Sequence, residues 1–120
     1  MARVRLTHRA LFDIEDILDY SKKEWGLSAA ENYLFEIEKS FDLISKNPGI
    51  LSTNSKISTR FKVYQVKKHW LICEVIRNDV FILTIKHMSM DLIKRLKELE
   101  PSLELEVETL FKTLEARNKN

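Results

Sequence analysis

The chain has 120 residues, of which 44% are hydrophobic and 32% charged, and it contains two glycines, two prolines and one cysteine. This length supports one modest core and excludes two ordinary domains, while the scarcity of glycine favours helices with short connections over a glycine-rich all-β fold. The lone Cys73 excludes an internal disulfide, and no apolar stretch is long enough to span a membrane. We therefore expect one cytoplasmic domain without a signal peptide.

The charge is distributed unevenly along the chain, although its net value is only +2. Residues 56–95 hold nine Lys or Arg against three Asp or Glu, whereas residues 1–55 and 96–120 each carry a net charge of −2. Such a basic block either marks a face for an acidic partner or anion, or consists of ordinary solvated charges on strand exteriors. Charge alone does not decide between these two interpretations.

The first part of the chain predicts a short strand followed by two helices. Residues 3–6 alternate charged and apolar side chains, as in a half-buried strand. Thr7 is placed to cap a helix whose apolar residues recur every three or four positions. Gly26 ends that helix, and Ser28 with Glu31 predicts a capping box for the next one. Two helices joined by a glycine turn form an antiparallel hairpin with one continuous apolar face.

The second part predicts strands and then a helical tail. Residues 47–59 combine Pro-Gly with Ser, Thr and Asn, which indicates a surface loop. Three alternating segments follow, and their connections are too short for anything but an antiparallel meander: 60–66, 69–77 and 80–86. After Asp91, a candidate N-cap, we predict a short helix that ends at Pro101 and a second amphipathic helix beyond it. The predicted fold class is therefore α+β.

The last strand ends in the sequence His87, Met88, Ser89, Met90, Asp91, which leaves two interpretations open. In the first, His87 hydrogen-bonds into the following turn, the methionines fill the gap between sheet and helices, and Asp91 caps the tail. In the second, the same corner is part of a target-binding surface. In either case we expect a rigid corner between a buried strand and an outer helix.

Several kinds of chemistry are not supported by the sequence. The three histidines lie far apart without a cysteine at ligand spacing, so no metal site is predicted, and the isolated glycines do not form a nucleotide-binding loop, so no cofactor is predicted. The acidic residues of the first helix are typical of a solvated exterior rather than of a catalytic cleft: Asp13, Glu15, Asp16 and Asp19.

Two stretches resemble the RelE/ParE toxin superfamily. The first is "VRLTHRALFDIEDILDYSKKEWGLSAAENYLFEIEKSFDLISKNPG", and the second, "ILTIKHMSMDL", is similar to the end of the ParE branch. The resemblance covers residues 3–95. It implies a toxin domain at residues 1–95 made of a strand, a helix hairpin and a three-stranded antiparallel meander. Residues 96–120 are left as a C-terminal helical extension packed on the domain or on a partner.

The resemblance also implies a function. Members of this superfamily are toxins of type II toxin–antitoxin pairs, each neutralised by a cognate antitoxin. ParE-like toxins inhibit DNA gyrase by binding, and this is the function we expect. The alternative is a RelE-like, metal-independent endoribonuclease that cleaves messenger RNA on the ribosome. We expect the antitoxin to occupy a groove between the sheet and the helix hairpin, and a dimer or a hetero-oligomer with the antitoxin is possible.

The candidate site residues follow from the basic block and the end of the last strand. We predict a target-binding surface on the sheet face that the hairpin leaves open, made of Arg60, Lys62, Lys67, Lys68, Lys86, His87 and Met90. In the ribonuclease alternative, Arg60 and Lys62 hold the phosphate and His87 transfers protons. The set of catalytic residues expected for a RelE-like ribonuclease is incomplete, because none of the three tyrosines follows the last predicted strand.

Overall fold

The computed structural model describes residues 1–54, 58–88 and 92–118, with the backbone alone at 59, 92, 93 and 116–118. Met90 and the candidate cap Asp91 lie outside these residues. The strands are β1 (Arg3–Leu6), β2 (Ser52–Asn54), β3 (Ser58–Val66), β4 (His69–Ile76) and β5 (Asp79–His87). The helices are α1 (His8–Trp25), α2 (Leu27–Lys46) and α3 (Leu92–Asn118), with a 3₁₀ turn at Pro48–Ile50. Within the described ranges, no helix has the length and hydrophobicity needed to cross a membrane.

The strands form a single sheet in the order β1-β5-β4-β3-β2. Strands β3, β4 and β5 make the predicted antiparallel meander, and β1 joins it parallel to β5. The predicted α+β fold of strand, helix hairpin, meander and helical tail is confirmed. The loop predicted at residues 47–59 is wrong in part, because β2 lies within it as an edge strand of three residues. So short a strand has no alternation that a pattern can reveal.

The helix hairpin forms largely as the sequence predicts. The Thr7 hydroxyl accepts a hydrogen bond from the Ala10 N–H at 3.1 Å and so caps α1. Gly26 joins the two helices at φ +94°, a conformation that side-chain-bearing residues rarely adopt. The predicted Ser28 capping box is wrong. Because α2 begins at Leu27 directly after Gly26, Ser28 already lies inside the first turn, and no side chain caps that helix.

One face of the sheet packs against the hairpin. The core of this layer is formed by buried residues of both helices and of the three central strands, namely Ala10, Ile37, Ile44, Val66, Leu71, Cys73, Val80, Ile82 and Ile85. These side chains fill the centre of the space between sheet and hairpin, and an open cleft remains beside the start of β4 and the end of β5. Burial raises the pKa of the Cys73 thiol to about 12, which keeps it protonated as a small packing residue.

The opposite face of the sheet is covered by α3. Leu96, Leu103 and Val107 are buried there against residues of β3, β4 and β5, namely Phe61, Val63, Ile72, Ile76, Phe81 and Leu83. The prediction that this face is open is therefore wrong. The apolar stripe of the tail continues for several turns, and burying it on the exposed apolar side of the sheet is strongly favourable.

The tail is one continuous helix that contains Pro101, so the predicted break at that residue is wrong. A proline inside a helix removes one backbone hydrogen bond. Here, Leu96 before the proline and Leu103 after it pack into the same cluster on the sheet, and this shared burial keeps the two halves in line. The helix begins at Leu92, just before the predicted domain boundary at residue 95.

A buried carboxylate joins β1 to β5. Asp79, with 4% of its side chain exposed, lies 2.8 Å from Nε of Arg3 and 3.5 Å from Nε of Arg5. The turn between β4 and β5 consists of Arg77 and Asn78, which places Asp79 at the first position of β5. Both arginines belong to β1 and remain substantially exposed. The two ion pairs therefore lie at the rim of the sheet, where they hold β1 against β5.

Replacing this carboxylate should weaken the fold measurably. We expect Asp79→Ala to lower the free energy of unfolding by about 2 kcal/mol, because two charge-assisted contacts to a buried carboxylate are lost while the arginines regain water. Asp42→Ala is the matched control. Its ion pair with Lys46 leaves both side chains 62% exposed, and its loss should cost less than about 0.5 kcal/mol. Urea unfolding of both variants checks this, and equal effects would contradict it.

Candidate target-binding site

A β-bulge shapes the last strand just before the candidate site. Ile82 and Thr84 of β5 pair with consecutive residues of β4, so Leu83 is an extra residue in the ladder. The Thr7 hydroxyl, at the start of α1, donates a hydrogen bond to the Leu83 carbonyl oxygen at 2.8 Å. Bulges bend a strand and redirect the side chains that follow. The N-terminus of α1 therefore helps to set the direction of the end of β5.

Asp13 of α1 anchors the strand beyond the bulge. Its carboxylate accepts hydrogen bonds from the Thr84 hydroxyl and from the Ile85 N–H, the latter at 2.9 Å, and lies 3.6 Å from Nζ of Lys86. Only 15% of the Asp13 side chain is exposed. The prediction that it belongs to a solvated acidic surface is wrong, because its position on α1 faces β5 rather than water.

Three elements meet at the end of the sheet. His69, the first residue of β4, pairs with His87, the last residue of β5. The Met88 N–H donates to the carbonyl oxygen of Lys68 at 2.8 Å, and the Lys68 N–H donates to the Tyr33 hydroxyl of α2 at 3.3 Å. The β3–β4 turn, the end of β5 and the first half of α2 are thereby joined into one corner.

Three aromatic rings meet in this corner. A hydrogen bond joins the Tyr33 hydroxyl to Nδ1 of His69, and the rings of His69 and His87 meet edge to face with centroids 4.9 Å apart. Burial, aided by the nearby His87, lowers the pKa of His69 to about 4, although Asp13 opposes this shift. Burial also raises the pKa of Tyr33. At pH 7 both hydrogen-bonded groups are therefore uncharged.

A cleft of about 690 Å³ lies beside this cluster, between the hairpin and the end of the sheet. Its helix side carries the exposed aromatic residues Tyr20 and Trp25, and its sheet side carries Lys68, Lys86 and the two histidines. Sequence analysis missed Tyr33 and His69 as members of the site. They are 36 residues apart, on a helix and a strand, and no local motif links them.

Four of the predicted target-binding residues lie together in this corner. Lys67 and Lys68 form the exposed β3–β4 turn, and Lys86 and His87 end β5. We call these four residues, with Tyr33 and His69, the cationic corner. Lys86 is only 14% exposed and contacts Asp13, so the two turn lysines provide most of its accessible charge. Within the described part of the chain, no group of three or more His, Cys, Asp or Glu is placed to hold a metal ion.

The structure does not bring Arg60 and Lys62 to this corner. Lys62 pairs with Cys73, which is four residues along β4 from His69 and therefore about 13 Å away. Arg60 contacts Glu74 and lies 4.0 Å from Glu104 of α3. The set proposed for a ribonuclease is therefore divided between two ends of the sheet. Met90, the remaining candidate, lies outside the described residues.

The lowered pKa of His69 predicts a specific pH dependence of stability. Between pH 6.5 and pH 4 the unfolded chain binds a proton at this ring that the folded chain does not bind, so stability falls as the pH decreases through this window. We expect a loss of up to about 2 kcal/mol, since partial exposure of the ring reduces the effect. His69→Gln should remove this part of the dependence, whereas the exposed His8→Gln should retain it. Thermal unfolding at intervals from pH 7.5 to 4.5 measures the difference.

The sequence matches a family model along most of its length. Residues 4–92 match the model described as the ParE toxin of the type II toxin-antitoxin system, parDE. The chain belongs to the ParE toxin family. It is 28% identical to Toxin ParE1 of Caulobacter vibrioides, over 76% of this chain and 94% of that protein. It is 23% identical to Toxin ParE of Escherichia coli, over 78% of this chain and 91% of that protein.

The fold agrees with this membership. A solved structure described as the chromosomal ParDE TA system from P. aeruginosa superposes with a TM-score of 0.63 and 15% identity, covering 72% of this chain and 96% of that chain. At this identity the likeness shows the fold alone. The family match ends at residue 92, where α3 begins, so the ParE body holds both the sheet and the cationic corner, while nearly all of α3 lies beyond it.

Proposed function

We propose that this ParE family toxin inhibits DNA gyrase by binding it through the cationic corner, and that a cognate antitoxin neutralises it. The observation that carries the proposal is the position of Lys67 and Lys68 on an exposed turn that Lys68 joins to α2 and β5 by backbone hydrogen bonds. Exposed charges on a fixed turn steer association with an acidic surface and set its orientation. Since gyrase acts on chromosomal DNA in the bacterial cytoplasm, we place the toxin there.

Binding without catalysis suits the chemistry of the corner. The charge of Lys86 is largely offset by Asp13, and His69 is neutral and hydrogen-bonded to Tyr33. A phosphoryl-transfer site needs several cations fixed around the reacting phosphate. Arg60 is instead engaged with Glu74 and Glu104 at the other end of the sheet. The corner therefore offers a contact surface rather than an assembled phosphate clamp.

The antitoxin partner is supported by the family to which the chain belongs. Its model describes toxins of a type II toxin-antitoxin system, and the P. aeruginosa structure is described as a ParDE system. We infer that this toxin forms a hetero-oligomer with an antitoxin encoded beside it. Co-purification of the toxin with the product of the adjacent open reading frame tests this partnership.

The proposed target is tested with purified components. Added to gyrase, relaxed plasmid and ATP, the toxin should block supercoiling in proportion to its concentration, and in a translation extract it should leave messenger RNA intact. Addition of the antitoxin should restore supercoiling. Cleavage of messenger RNA with normal supercoiling would contradict gyrase inhibition.

The histidine pair favours one alternative, a RelE-like endoribonuclease. An imidazole can transfer protons in general acid–base catalysis, and His69 and His87 lie in contact beside the cleft and near Lys68. His87→Gln distinguishes the two functions. It should abolish messenger RNA cleavage if the ring transfers protons, whereas a gyrase inhibitor with this substitution should keep most of its activity, because the exposed Lys67 and Lys68 provide most of the accessible charge of the corner.

A further inference from the structure

The cleft beside the cationic corner has the size of a small-molecule site. Its volume is about 690 Å³, within the range of about 300–1,000 Å³ that is usual for ligand pockets. Ile17 of α1 and Ile85 of β5 line it together with the rings of Tyr33 and His69. Apolar side chains and a few polar groups therefore converge on one space, as they do in sites that bind a flat, partly polar molecule.

Two aromatic side chains give the helix wall of the cleft a stacking surface. Tyr20 and Trp25 both line the cleft, and they are 63% and 72% exposed. Such large rings offer apolar area that a planar ligand would bury. Nucleic-acid bases stack on exposed aromatic side chains in this way, because every base has a flat π face. The wall is therefore suited to a planar heterocycle.

One carboxylate on the same wall is available to a ligand. Asp16 precedes Tyr20 by one helical turn, so the two side chains lie on the same face of α1, and both line the cleft. Asp16 is exposed, and no residue in the described part of the chain forms an ion pair with it. Asp13, the other acidic group of the lining, is already engaged by β5.

A carboxylate beside a stacking surface distinguishes among the bases. Its two oxygens accept two parallel hydrogen bonds from adjacent donors. Guanine presents such a pair, its N1–H and its N2 amino group. Adenine and cytosine place an acceptor nitrogen beside their amino group, and thymine places its one ring N–H between two carbonyl oxygens, so in each of these bases an acceptor would face the carboxylate. The wall therefore favours guanine.

The opposite wall supplies a cation for a phosphate group. Lys68 lines the cleft from the β3–β4 turn and is exposed, and it has no ion-pair partner within the ranges that the structure describes. Lys86 also lines the cleft, but it is mostly buried and its charge is offset by Asp13. A lysine binds phosphate as a point charge and does not need a glycine-rich loop to do so. A stacking surface, a free carboxylate and a free ammonium group thus surround one space.

We propose that this cleft is a binding site for a guanine nucleotide. The base stacks on Tyr20 and Trp25 and donates its two hydrogen bonds to the Asp16 carboxylate. The phosphate lies at Lys68. A free guanine nucleotide and an unpaired guanine of a nucleic-acid strand present the same groups, so both are sources of this ligand.

Titration of guanosine monophosphate (GMP) into the full-length, ¹⁵N-labelled protein tests the site. The chain has two tryptophans, and Trp70 packs against the cluster under α3, on the other face of the sheet. We expect GMP to shift the indole N–H signal of Trp25 and to leave that of Trp70 in place. Thymidine monophosphate (TMP) should bind at least about tenfold more weakly, because it lacks the paired donors.

Two substitutions assign the contacts by isothermal titration calorimetry. Trp25→Ala should weaken GMP binding at least about tenfold through loss of stacking. Phe35→Ala, which removes an aromatic side chain that is 62% exposed outside the lining of the cleft, should not weaken it. Asp16→Asn should reduce the preference for GMP over TMP, whereas Asp19→Asn, at an exposed position outside the lining, should retain it. All four side chains are exposed, so these variants should fold.

A short oligothymidylate with one central guanine distinguishes the two sources of the ligand. A shift of the Trp25 signal with GMP assigns the free nucleotide, and a shift with the oligonucleotide alone assigns a strand. No shift with either guanine ligand, or equal affinities for GMP and TMP, would overturn the inference. The supercoiling assay is independent of this outcome: inhibition without nucleotide binding contradicts the inference alone, and nucleotide binding without inhibition contradicts the proposed function alone.

Discussion

Asp13→Ala should lower the free energy of unfolding by about 3 kcal/mol, which corresponds to a fall of about 10 °C in the melting temperature. The Thr84 hydroxyl and the Ile85 N–H both depend on this carboxylate, and Thr84 and Ile85 are 0% and 3% exposed. A buried donor left without an acceptor costs about 1–3 kcal/mol. Lys86 would also lose its nearest carboxylate.

Asp19→Ala is the matched control for this prediction. Asp19 belongs to the same acidic cluster of α1 but is exposed, and surface substitutions of this kind usually change stability by less than about 0.5 kcal/mol. Differential scanning calorimetry of the three proteins at pH 7 gives the comparison. If both alanine variants melt within about 2 °C (about 0.5 kcal/mol) of the unmodified chain, Asp13 does not anchor the strand.

The double variant Lys67→Glu/Lys68→Glu should lose gyrase inhibition by at least tenfold, which corresponds to about 1.4 kcal/mol or more of binding free energy. Both lysines are exposed on the β3–β4 turn, so reversal of their charge changes the surface without disturbing the core. Because charge steering is screened by salt, the difference from the unmodified toxin should shrink as ionic strength rises. The supercoiling assay at two salt concentrations measures both effects.

Lys22→Glu/Lys23→Glu makes the same change in net charge and serves as the control. These lysines are exposed in the last turn of α1, outside the cationic corner. Retained inhibition in this variant and loss in the turn variant would assign the contact to the corner. Equal losses in the two variants would indicate that net charge alone is responsible.

The local elements of the fold were predictable because their signals lie close together in sequence. The Thr7 cap, the hairpin turn at Gly26 and the alternating strands β3 to β5 each depend on neighbouring residues. The end of β5 could also be recognised, because Lys86 and His87 follow a run of buried residues. For the same reason four of the seven proposed target-binding residues lie in one corner.

Other features were decided by contacts between distant segments. The inward position of Asp13 depends on a bulge in β5 some 70 residues away. The Tyr33–His69 hydrogen bond joins a helix to a strand, and periodicity does not report such a contact. Continuation of α3 through Pro101 depends on the sheet surface beneath it, whereas the sequence carries only the local preference of proline to end a helix.

The toxin assignment is independent of the open sheet face that the sequence analysis expected. That face is covered, but the family match rests on residues 4–92, which hold the strand, the hairpin and the meander. The cover comes from α3, which lies almost wholly outside the match. A surface contact with a target therefore has to use another part of the body, and the cationic corner is exposed at the end of the same sheet.

Titration of gyrase into ¹⁵N-labelled toxin is the most direct test of the proposal that the cationic corner binds this target. We expect loss or shift of the amide signals of Lys67, Lys68 and His87 at substoichiometric gyrase, with the signals of the outer face of α3, such as that of Leu105, affected later and uniformly. An unchanged spectrum at stoichiometric gyrase, or early perturbation confined to α3, would contradict the account.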